Sequence, residues 1–106
     1  MTEFCAFVLD QLRDVGDVTC RAMFGGYGLR AGGIFFAIIY DDQLFLKVSP
    51  ATRPAFEAEG MGPFRPTPKQ TLKTYYETPA DVLENRDELT RWAKRAIDAA
   101  ADGGRQ

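Results

Sequence analysis

The 106-residue sequence has no histidine, one serine, Ser49, and two cysteines, Cys5 and Cys20. Without histidine, neither a Ser-His-Asp nor a Cys-His catalytic arrangement can be assembled. A structural zinc site takes four ligands, typically Cys and His, and two thiols with fourteen residues between them fit no metal-ligand spacing. Two cysteines are also too few for a secreted disulfide framework, so a reducing cytoplasm is the expected location. No stretch approaches the roughly 18 apolar residues of a membrane span. The N-terminus carries Glu3 and no basic region, unlike a signal peptide. A net charge of −2 argues against broad, non-specific binding to nucleic acid. These shortages point away from an enzyme, and no cofactor, metal or membrane is expected.

What is present reads as a single domain over residues 1–106, with 45% apolar and 26% charged residues. Phe4, Phe7, Val8, Leu12 and Val15 recur at helical steps, which predicts a helix from Thr2 to Val15 capped by Thr2. Strand-like segments follow at Val18–Phe24, Tyr27–Ala31, Ile34–Tyr40 and Gln43–Val48. The pairs Gly25-Gly26, Gly32-Gly33 and Asp41-Asp42 separate them and fit two-residue hairpin turns. Ser49-Pro50 opens a predicted helix anchored by Phe56 and stopped at Gly60. Residues 61–70, with Pro63, Pro66 and Pro68, read as a loop, and Thr71–Glu77 as a fifth strand. Thr78-Pro79 is expected to cap a short helix ending near Leu83. Asn85 and Glu88 fit a capping box before a last helix that sets Leu89, Trp92, Ala93, Ala96, Ile97 and Ala100 on one face, with a tail frayed from about residue 102. The expected fold is α+β and two-layered: an antiparallel meander of about five strands with the N-terminal, middle and C-terminal helices packed on it.

A two-residue turn at Asp41-Asp42 sets Ile39 against Leu44, Ala37 against Leu46 and Phe35 against Val48, a wholly apolar face suited to receive the helices. Continued in the same register, the other face carries Phe24, Tyr27, Leu29, Phe36, Ile38, Tyr40 and Phe45. These seven make an apolar patch on the order of several hundred Å², large for a monomer surface. A terminal helix, a second copy of the chain, another protein or a ligand would cover it, and this face is the candidate interaction surface.

Glycines in Met23-Phe24-Gly25-Gly26-Tyr27-Gly28 resemble a phosphate loop, but strand pattern follows them where a phosphate cradle needs a helix N-terminus. Cys20 reads as a strand cysteine with Arg21 beside it, and Cys5 as a small helical hydrophobe. Charge is uneven: residues 1–17 carry net −3, residues 18–76 net +3 and residues 77–106 net −2. The middle section includes Arg21, Arg30, Lys47, Arg53, Arg65, Lys69 and Lys73, with no acid between Gly60 and Tyr76. Lys47, Arg53, Arg65, Lys69 and Lys73 form a candidate basic surface for an acidic protein or nucleic acid.

Arg21-Ala22-Met23-Phe24-Gly25-Gly26-Tyr27-Gly28-Leu29 resembles the hallmark segment of the TfoX/Sxy N-terminal domain family. Phe36-Ala37-Ile38-Ile39, Leu44-Phe45-Leu46-Lys47-Val48, Gly60-Met61-Gly62-Pro63-Phe64, Tyr75-Tyr76-Glu77-Thr78-Pro79 and Trp92-Ala93 follow in the family's order, over roughly residues 4 to 100. The resemblance implies an α+β domain with an antiparallel sheet. The best-known members regulate bacterial competence for DNA transformation, co-activating transcription with the cyclic-AMP receptor protein, and carry a second, helical C-terminal domain. It therefore implies a stand-alone N-terminal domain of a non-enzymatic, regulatory kind. The expected partner is a protein, drawn from the transcription machinery or a second copy of the chain. Direct nucleic-acid binding and small-molecule binding on the apolar sheet face are the alternatives. The family supplies no catalytic residues to carry over.

Overall fold

Thr2 lacks a helical conformation and accepts a hydrogen bond from the Cys5 amide at 3.1 Å, which starts helix α1 (Glu3–Gln11). The computed structural model describes residues 2–23 and 25–103. α1 stops short of Val15: a tighter turn follows, and Gly16 and Asp17, at φ +83° and +55°, swing the chain into the sheet. Four strands then run β1 (Val18–Met23), β2 (Gly26–Ala31), β3 (Ile34–Tyr40) and β4 (Gln43–Lys47). Gly32 and Gly33 both have positive φ, and so do Asp41 and Asp42, at 51° and 57°, the backbone that tight hairpin turns demand.

The middle helix opens later than Ser49-Pro50 suggests. Thr52 Oγ1 accepts from the Ser49 amide at 2.9 Å, which ties the segment into a turn, and α2 (Arg53–Ala58) starts only beyond it, with Pro54 in its first turn. Residues 61–70 are not a loop: β5 (Pro63–Thr67) and β6 (Gln70–Glu77) form a hairpin turned at Pro68-Lys69. The sheet therefore has six strands in the order β1-β2-β3-β4-β6-β5, each pair antiparallel. β5 is an edge strand, the one place in a sheet that tolerates prolines such as Pro63 and Pro66. Helices α3 (Ala80–Glu84) and α4 (Arg86–Gly103) follow; residues 102 and 103, expected to fray, are helical, and the rest of the expected frayed tail lies outside the described residues. Pro79 rather than Thr78 precedes α3 as its cap, and the Thr78 side chain is buried with its hydroxyl unpartnered. The Glu88 amide donates to Asn85 Oδ1 at 3.0 Å and so caps the start of α4.

The main core lies between one sheet face and the helices. Leu29, Phe36, Ala37, Ile39, Leu44 and Leu46 meet Val8 of α1, Leu12 just beyond it, and Leu89, Ala93 and Ala96 of α4. Phe56 of α2 packs edge-on to Trp92, with ring centroids 4.7 Å apart, and touches Tyr76 of β6. Gln11 donates to the Leu83 carbonyl at 3.0 Å, joining the end of α1 to α3.

The β3–β4 register matches expectation from Ala37–Leu46 to Tyr40–Gln43. The β2–β3 register does not. Leu29 pairs with Ala37 and Arg30 with Phe35, so Phe36 is the extra residue of a β-bulge. The bulge turns Phe36 and Ala37 to the same side, and the alternation that held from Ile38 onward breaks there.

Candidate functional site

The outer face of the sheet, opposite α1 and α4, carries a second apolar cluster. Ile38, Phe45 and Phe64 are buried in it, with Phe35, Tyr40, Leu72 and Tyr75 half-buried around them. Of the seven residues expected on this face, Ile38, Tyr40 and Phe45 lie there. Leu29 and Phe36 belong instead to the main core, both fully buried, and Tyr27 packs against that core. The physical reason is the bulge, which shifts β2 by one position relative to β3. Phe24 lies outside the described residues.

Neither α1 nor α4 contributes a side chain to this cluster. The β5–β6 hairpin does, through Phe64, whose ring centroid is 4.5 Å from that of Phe45 and 5.3 Å from that of Tyr40. Register shifts on both sides of Phe64 allow an edge-strand side chain to reach across β6 to β4 and β3. Phe35 meets Tyr75 edge to face at 6.1 Å. Gly28 makes this packing feasible, because a Cβ there would lie 2.5 Å from the Phe35 ring and 2.6 Å from Met23 Sδ. The aromatic ring thus roofs a glycine in the neighbouring strand. Phe35, Phe64, Leu72 and Tyr75 were not expected on this face. Gly28, a residue without a side chain between apolar neighbours, is the sequence signal that could have indicated a ring lying over it.

Between the hairpin and the central strands runs an apolar cleft of about 310 Å³, lined by Met23, Ile38, Tyr40, Phe64, Pro66 and Leu72 among others. Cations border the cluster. The Arg30 guanidinium stands 5.0 Å from the centre of the Phe35 ring, and the Lys47 ammonium 5.1 Å from that of Tyr75. Burial pushes the Tyr75 phenol above its ordinary value of 10.0.

The basic residues lie on several elements, and Lys47 of β4 lines a cleft with Thr52 and with Ala55 of α2. Lys47 is at the outer cluster, and Arg53 opens α2 on the side where Phe56 meets the main core. Arg65 on β5, Lys69 in the turn and Lys73 on β6 share the hairpin and are exposed. Among the described residues the ion pairs are Asp10–Arg13, Asp10–Arg86 and Glu88–Arg91, and none neutralises the hairpin. Nor does any group of three or more acidic or thiol side chains among the described residues form a metal-holding cluster. No described helix is long and apolar enough to cross a membrane.

The structure also joins two residues that the sequence treated separately. Cys5 Sγ and Cys20 Sγ are 3.3 Å apart, and both thiols are free. Burial, with Cys5 alongside, pushes the Cys20 thiol up to about 11.

The chain is thus an α+β domain with one sheet face packed under helices and an outer apolar face partly roofed by a basic hairpin. The model of the TfoX N-terminal domain matches residues 10–100, and the chain belongs to that family of competence-related domains, which is not a known enzyme family. No match was found among curated proteins.

Proposed function

We propose that this domain is a non-enzymatic regulatory module that docks a protein partner on the outer face of its sheet, in the manner of the transcriptional co-activators its family contains. The observation that carries this reading is the juxtaposition of the apolar cleft with the hairpin bearing Arg65, Lys69 and Lys73. An apolar side chain of the partner fits between Tyr40, Phe64 and Leu72, and acidic residues around it meet the unpaired cations. Interfaces of this kind draw most of their affinity from a few aromatic anchors, while rim charges set the rate of encounter.

The test is affinity purification from the native cell with mass spectrometry, run in parallel on the wild type and on Leu72→Asp, whose half-buried site tolerates polarity better than the core. The reading expects a specific protein that is lost with Leu72→Asp and held more weakly with Lys69→Glu. Retention of the same protein by both variants would refute it. A homodimer through this face would appear in light scattering at micromolar concentration and disappear with Leu72→Asp.

Direct nucleic-acid binding is favoured by one observation, the half-buried Tyr75 and Phe35 rings flanked by Lys47 and Arg30. Such pairs of aromatic face and cation suit unpaired bases. That reading expects a gel shift at low salt that weakens steeply as salt rises.

A further inference from the structure

Cys5 sits in the first turn of α1 and Cys20 in the middle of β1, and the fold closes their fifteen-position separation to a sulfur–sulfur distance of 3.3 Å. Both are reduced. A disulfide has a bond of about 2.05 Å, so closure requires the sulfurs to approach by little more than about 1.2 Å. The polar ties of α1 to other elements lie at its far end, where Gln11 bonds the Leu83 carbonyl and Asp10 pairs with Arg86, while its N-terminal half is held by apolar packing alone. Its N-terminal turn, held by Thr2, is the part that must move, and moving it breaks neither tie. The partner element is β1, an edge strand with a neighbour on one side only. The two thiols also differ in access: Cys5 is fully buried and Cys20 half-buried.

We propose that Cys5 and Cys20 are an oxidisable dithiol, a modification site at which a hydroperoxide closes a reversible disulfide between α1 and the sheet edge. The Cys20 thiolate attacks the terminal oxygen of the hydroperoxide, forming an S–O bond as the O–O bond breaks. The alkoxide leaves and takes up the thiol proton, and Cys20 becomes a sulfenic acid. Cys5 then attacks the Cys20 sulfur. An S–S bond forms, the S–O bond breaks, and hydroxide departs with the Cys5 proton as water. Two thiols lose two electrons in all, and one hydroperoxide is reduced to an alcohol and water. Because the Cys20 thiol ionises only at high pH, the first step is slow at neutrality and accelerates as pH rises. The site therefore responds to sustained rather than trace peroxide. A thiol or dithiol reductant reverses it.

The experiment treats the reduced full chain with graded hydrogen peroxide and follows it by intact mass and non-reducing peptide mapping. The expected product is about 2 Da lighter, runs as a single chain on a denaturing gel, carries a Cys5–Cys20 cross-linked peptide and reverts with dithiothreitol. Amide hydrogen exchange in the first turn of α1 slows in the oxidised form. In Cys5→Ser the resolving thiol is missing, and Cys20 gains oxygen, about 16 or 32 Da, instead. In Cys20→Ser the buried Cys5 stays unmodified at the same dose. Three results would overturn the proposal: oxygen addition at Cys20 of the wild type without a cross-link, cross-links only between chains, or no mass change at doses that consume glutathione. The wild-type measurement decides the matter even if a variant fails to fold.

Discussion

Replacing Gly28 by alanine tests whether the roofed outer face is a packed structure or an incidental surface. The backbone at Gly28 needs no left-handed conformation, so the whole effect comes from one methyl group placed 2.5 Å from Phe35 Cε2 and 2.6 Å from Met23 Sδ. Carbon atoms pack best at about 3.5–4.0 Å, so the ring must withdraw by roughly 1 Å or more. Overpacking of this kind costs about 1–3 kcal/mol. Alanine recovers about 0.5–1 kcal/mol of the backbone entropy that glycine loses on folding. The difference is a destabilisation centred on about 1 kcal/mol and reaching about 2.5 kcal/mol, or on the order of 5 °C in Tm at its centre for a domain of this size. Withdrawal also separates Phe35 from Tyr75 and Arg30, its two partners at 6.1 and 5.0 Å. Urea unfolding of Gly28→Ala, of Phe35→Leu and of the double variant measures the effect as a cycle. The shorter leucine makes room for the new methyl, so the double variant is expected to lose less than the sum of the single losses. Full stability in Gly28→Ala, or strict additivity in the cycle, would refute the reasoning. Gly26→Ala supplies the contrast: its Cβ meets the Ile39 carbonyl oxygen, which is backbone and cannot rotate away, so it is expected to cost more than Gly28→Ala.

Other perturbations probe other levels of the fold. Asn85→Ala removes the side-chain acceptor of the Glu88 amide and is expected to lower stability by about 1 kcal/mol in urea unfolding. Asp42→Gly relieves a non-glycine residue at φ +57° and is expected to raise stability by about 0.5–1 kcal/mol, read as a higher urea midpoint at unchanged slope. The rate of Cys20 alkylation by iodoacetamide is expected to keep climbing beyond pH 9 toward about 11, and a plateau set by an ordinary thiol would count against its burial. Since folding raises this pKa above its ordinary 9.0, the stabilising contribution is complete below pH 9 and fades as pH rises through about 11.

The strands β2 to β4 were legible because the turns Gly32-Gly33 and Asp41-Asp42 are written in residues that accept positive φ, and β3 matches its expected limits, whereas Gly26, expected in a turn, opens β2 and pairs with Met23. β5 was hidden by Pro63, Pro66 and Pro68, which read as loop until the strand is known to lie at an edge, where an absent amide costs no ladder bond. The bulge at Phe36 was invisible for a different reason. The run Ile34-Phe35-Phe36-Ala37-Ile38-Ile39 is apolar throughout, so no polar position marks where the alternation slips. That single slip exchanged Phe36 for Phe35 on the outer face and returned Leu29 to the core. Phe64, the residue that roofs the face, sits alone among prolines, and only a long-range fold places it over Phe45. The cysteine pair was out of reach on similar grounds, since a helix and a strand fifteen positions apart meet only in three dimensions.

The unlike ends of the sheet limit how copies of this domain can join. At one end β5 carries Pro63 and Pro66, which lack the amide protons that an added strand would need. At the other end β1 has no proline along Val18–Met23 and keeps one side free of strand neighbours. Strand-to-strand growth from β1 can join two sheets about a two-fold axis, and the blunt β5 edges then face outward on both sides. A pair joined in this way would leave only the proline-bearing β5 edges for further strand addition, which disfavours growth beyond two copies by that route.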